Sequence, residues 1–116
     1  MEVIKQSQEM REQANLLQNL FSKAATLASN ILGWATLIIK NKTEQATEQR
    51  QEILDDYKQL DQELDEQQEP IKKICDQMID ESIEFAEETE KAKKLHFSQG
   101  ISKPIKEHRS KKIKND

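Results

Sequence analysis

A chain of 116 residues and 13.5 kDa, 34% hydrophobic, 34% charged and only 4% aromatic, has room for one small domain or an extended helical element with a thin core. Two Gly and two Pro cannot serve the turns of a many-stranded β fold or build phosphate-cradling loops, and a single Cys excludes an internal disulfide and a Cys-based zinc site. The net charge of −4 hides an asymmetry: residues 1–40 sum to +1, residues 41–90 to −12 and residues 91–116 to +7.

Residues 1–42 predict one long, apolar-centred helix. Val3, Met10, Leu17, Ala24, Ile31 and Ile38 recur every seven residues, with Leu20, Leu27 and Trp34 at the companion positions. The first two companions, Gln6 and Gln13, are polar, so the seam becomes dry only from Leu17 onward. Phe21, Ala28 and Ala35 widen the stripe beyond a strict coiled-coil seam. Ser22, Thr26, Ser29, Gly33 and Thr36 line the opposite face, and Gly33 invites a close-packing explanation because Gly costs about 1 kcal/mol against Ala inside a helix. Residues 20–39 would extend about 30 Å as a helix, which also matches a bilayer core, with Lys23 and Asn30 as the residues that resist insertion.

Asn41-Lys42-Thr43-Glu44 provides the first break, through a left-handed Asn41 or a new helix start. Residues 43–97 then predict two acidic amphipathic helices separated at Pro70. The first carries Ala46, Ile53, Tyr57, Leu60 and Leu64 as a narrow stripe among carboxylates. The second carries Ile71, Ile74, Cys75, Met78, Ile79, Ile83, Phe85 and Ala86, and ends at Ser98-Gln99-Gly100. Residues 98–116, Lys-rich and without apolar period, predict a disordered basic tail. The fold class expected is all-α: an elongated helical hairpin or three-helix, coiled-coil-like protein.

Little in the sequence points to catalysis. The run Asp55, Asp56, Asp61, Asp65 and Glu66 lacks the Gly-containing loop that converges carboxylates on a hard cation, and reads as a solvated helix face. His96 and His108 are too far apart for a helical metal pair, and Cys75 sits among aliphatic residues as a small buried hydrophobe. No catalytic residue, cofactor, metal or small-molecule substrate is expected.

The expected function is that of a non-enzymatic interaction or scaffold protein, a small structural subunit of a larger assembly or a homo-oligomer. Its protein interface would be Leu17, Leu20, Leu27, Ile31, Trp34 and Ile38. Lys103, Lys106, Arg109, Lys111, Lys112 and Lys114 would contact an acidic partner surface or neutralise the chain's own acidic middle. A single-pass membrane accessory subunit is one alternative, and a nucleic-acid-associated helical dimer using the tail is another. With Glu2, Glu9 and Glu12 before the first apolar run, no secretory signal is evident and an intracellular location is expected.

Overall fold

The computed structural model describes the backbone of residues 2–115 and the side chains of residues 7–112. Four α-helices account for nearly all of it: α1 (Glu2–Ile39), α2 (Thr43–Asp65), α3 (Glu69–Ala92) and α4 (Ser102–Asn115), with a single 3-10 turn at Phe97–Gln99 and no strand among the described residues.

The punctuation follows local chemistry. After Ile39 the chain reverses through Asn41, whose φ of 62° is the left-handed conformation that Asn tolerates better than most residues. Pro70 sits in the first turn of α3, where its missing N–H breaks no intrahelical bond. α3 ends at Ala92, earlier than the Ser98-Gln99-Gly100 stop that the sequence suggests. Lys94 turns left-handed at φ 52°, and His96 N–H is then capped by Gln99 Oε1 at 3.1 Å.

At 1.5 Å per residue, α1 extends about 57 Å and spans the long axis of a body measuring 61 × 32 × 20 Å. α2 and α3 are about 35 Å long, so the N-terminal part of α1 overhangs them and residues 7–16 are exposed throughout. α2 returns antiparallel to α1, as the Lys23–Glu63 ion pair shows. α3 then runs parallel to α1, with Lys93 Nζ reaching Asn41 Oδ1 at 3.3 Å. α4 lies antiparallel to α3 and parallel to α2, and closes the gap between them. The result has two layers, α1 with α3 and α2 with α4.

The core is the α1 seam facing inward. Leu20, Leu27, Ile31, Trp34 and Ile38 are buried against Ile53, Tyr57, Leu60 and Leu64 of α2 and Cys75, Ile79, Ile83 and Ala86 of α3. Each buried aliphatic side chain contributes about 1.5–3 kcal/mol. Three expectations are corrected here. The proposed interface residues meet other helices of the same chain, because α2 and α3 fold back over the seam; only Leu17, at its edge, stays half exposed. No helix is long and apolar enough to cross a membrane, among the described residues, so the 20–39 span is not one. Lys23 and Asn30 turn to α2 instead.

The third correction concerns the tail, which forms α4 and is not disordered. Ile101 and Ile105, one turn apart, are 0% and 1% exposed and complete the core. Pro104 occupies the first turn of α4, where it is compatible with helix. The free N–H groups at that helix start are met from outside: Glu90 of α3 accepts from Ile101 N–H at 2.6 Å, Ser102 N–H at 3.2 Å and the Ser102 hydroxyl. Arg50 of α2 donates to the Gly100 carbonyl at 2.8 Å.

Candidate interaction surface

The acidic middle and the basic C-terminal segment partly neutralise each other within the molecule. α2 contains eight carboxylates against two cations, α3 eight against three, and α4 six cations against one carboxylate. Asp61, 5% exposed, lies between Lys112 Nζ at 2.7 Å and His108 Nε2 at 3.0 Å. Lys112 also pairs with Asp65, which Lys72 holds at 3.0 Å from α3. Burial would raise the Asp65 carboxyl, but hydrogen bonds from Lys112 and Lys72 outweigh it and hold it below the usual carboxylate range. The same bonds raise the two lysine ammonium groups.

Arg109 is the centre of a second knot. Its Nε donates to Tyr57 Oη at 2.7 Å and its Nη1 to Asp80 at 2.5 Å, while its guanidinium lies 5.5 Å from the Tyr57 ring centre. Burial pushes the Tyr57 phenol up to about 12, only partly offset by Arg109. Burial likewise raises Asp76, whose Oδ1 has no hydrogen-bond partner, as has Arg109 Nη2. Burial first, and the neighbouring Asp76 second, raise the Cys75 thiol, away from the thiolate that reactivity requires.

The predicted tail contacts therefore divide. Lys106 pairs with Glu87 at 2.7 Å, Arg109 and Lys112 with α2 and α3, and Lys103 stacks 3.3 Å above the Phe97 ring. Lys111 is exposed. The Lys114 side chain lies outside the described residues. Three of the cations, Lys106, Arg109 and Lys112, meet the chain's own carboxylates, the arrangement that the opposite block charges allow, and tie α4 to α2 and α3. Among the described residues no group of three or more His, Cys, Asp or Glu is placed to hold a metal ion. A groove of about 320 Å³ runs between α1 and α2, floored by Leu27 and Leu60 and bridged by Lys23 and Glu63.

With Lys106, Arg109 and Lys112 bound to carboxylates of α2 and α3, the apolar surface left outside is concentrated on the α1–α3 layer. Phe21, Ala25, Ala28, Leu32 and Ile39 follow spacings of four, three, four and seven, one stripe of α1. Leu32 is 42% and Ile39 48% exposed, while Phe21 leans half-buried on the core. Parallel α3 contributes Ile74 (50% exposed), Phe85 (43%) and half-buried Met78 at spacings of four and seven. The α3 residues that bond α4, Asp80, Glu87 and Glu90, lie on the other side of that helix. Both stripes thus flank the α1–α3 seam, away from α2 and α4.

The α1 side of this surface is almost uncharged. Between Glu12 and Lys40 the only ionisable side chain is Lys23, already paired with Glu63. Gly33 is half-buried on the small-residue side of α1 beside this stripe, and a Cβ there would meet nothing within 4 Å, so the close-packing reason suspected from sequence does not lie inside the chain. Sequence reasoning missed this surface although it noticed the widening by Phe21 and Ala28. A single broad apolar arc does not reveal which of its edges the folded chain covers.

Compared with known proteins, the chain matches no family model, and no curated protein or solved structure shows significant similarity to it.

Proposed function

We propose that this protein is a non-enzymatic helical interaction module, a small structural subunit that offers the outer face of its α1–α3 layer to another helical surface. The observation that carries this reading is the alignment of Leu32, Ile39, Ile74 and Phe85, each close to half exposed, on one side of a molecule whose charged helices face one another. Large aliphatic and aromatic side chains held in rows by a rigid bundle cost little entropy to bury, and helix-on-helix packing is the geometry they favour. A photoactivatable residue in place of Ser29 tests the reading, with the same substitution at Glu48 on α2 as reference. In cells that make the protein, Ser29 should yield a discrete crosslinked species and Glu48 should not. Crosslinks from Glu48 alone, or from neither position, would refute it.

A further inference from the structure

We infer that the partner of this face is a second copy of the chain, packed along α1; the inference rests on the reading of the α1–α3 layer as a docking surface. Electrostatics select the occupant. α2 and α3 carry net charges of −6 and −5, so two copies meeting through either helix would bring carboxylates together. The face of α1 from Met10 to Ile39 brings no such conflict: Lys23 is neutralised by Glu63, and the overhang adds one charge of each sign, Arg11 and Glu12. A basic partner would be drawn to the carboxylates of α2 and α3, and nothing on α1 would attract it. A surface without net charge in a strongly charged molecule is compatible with itself.

The overhang supplies the second argument. Residues 7–16 project past the ends of α2 and α3, so no helix of the same chain covers them. Yet Met10, 71% exposed, continues the stripe through Leu17 to Phe21 at spacings of seven and four. A helix lying along α1 would cover Met10 to Ile39 without interruption, about 45 Å at 1.5 Å per residue. With a contact width of about 10 Å, α1 alone would bury roughly 900 Å² over both copies, and Ile74 and Phe85 at the margin bring the total to the roughly 1,000 Å² that a specific interface needs. A two-fold arrangement lets the same stripe serve both copies. The small side chains of Ala25, Ala28 and Ser29 allow two such helices to approach closely.

Sedimentation of the full chain over about a hundredfold dilution tests this, alongside Leu32→Glu and Ser29→Glu. Both positions are exposed and helical, so far-ultraviolet circular dichroism should be unchanged. The wild type should have twice the 13.5 kDa chain mass at high concentration. Each variant places two charges in the paired interface and should raise the dissociation constant at least about 100-fold. Glu48→Lys, on α2, should leave the dimer intact. A wild type that is monomeric throughout, or a dimer that survives both α1 variants, overturns the inference. If the wild type is monomeric but Ser29 still crosslinks to a different protein, self-pairing fails and the docking face stands; if Ser29 also yields no crosslink, both fail.

Discussion

Replacing Ile105 with Ala is the sharpest probe of how α4 is held. Ile105 is 1% exposed, one turn from the equally buried Ile101, in a helix whose other contacts are mostly polar. Ile→Ala in a core costs about 2–5 kcal/mol, with the spread set by how far the site can collapse. α4 lies at the margin of the core and can settle inward, which places this case near 2 kcal/mol. Two kcal/mol is a substantial part of the roughly 6–17 kcal/mol expected for a domain of this size. If α4 leaves the body before the rest unfolds, its open population should rise about 30-fold. Trypsin reports that opening, because Lys106, Arg109, Lys111 and Lys112 lie within α4. When opening and closing are fast relative to cleavage, the cutting rate follows the open population. Ile105→Ala should therefore be clipped in α4 about 30 times faster than the wild type. Ser110→Ala, at an exposed position of the same helix, should match it. Equal rates for the wild type and Ile105→Ala would show that α4 is not anchored through its isoleucines.

The two glycines should respond in opposite ways. Gly33→Ala adds a methyl group into open space within a helix and should raise stability by about 1 kcal/mol in a urea melt. Gly100→Ala would set a Cβ 2.5 Å from the Glu90 Oε1 that caps α4, and should loosen that helix and lower the melting temperature. Stability should fall on both sides of neutrality. Asp65 and Glu87 titrate below their ordinary values in the folded chain, so their contribution is present above about pH 4 and is lost as pH falls through the folded values. Tyr57 titrates near 12, and Lys72 and Lys112 above their ordinary values, so the folded state holds extra protons above about pH 10 and loses stability there, as urea melts at stepped pH should record. Asp76→Asn removes a carboxylate that burial opposes and should stabilise the chain at neutral pH by up to about 1 kcal/mol, read in the same melts.

Much of the fold is visible in the spacing of apolar residues. The heptad from Leu17 to Ile38 identifies the inward side of α1, and Asn41 and Pro70 mark the two breaks where helices α2 and α3 begin. α4 escapes the same approach for a physical reason. Its apolar signal is two isoleucines, and its helical start is capped by Glu90, a residue of another helix. Its cations look like a solvated tail until Asp61, Asp65, Asp80 and Glu87 are brought opposite them by the return of α2 and α3. The candidate surface was hidden in a complementary way. Phe21, Ala28 and Leu32 belong to the same broad arc as the buried seam, and only the positions of α2 and α3 decide that one edge is covered and the other left open.

The most direct measurement is the sedimentation mass of the wild-type chain at low and high salt, from about 0.05 to 0.5 M sodium chloride, a range over which screening of exposed charges becomes strong. Association through the uncharged face of α1 should persist or strengthen across that range. A complex that dissolves as salt rises would place the contact on the charged helices and contradict the assignment of the α1–α3 layer as the docking face.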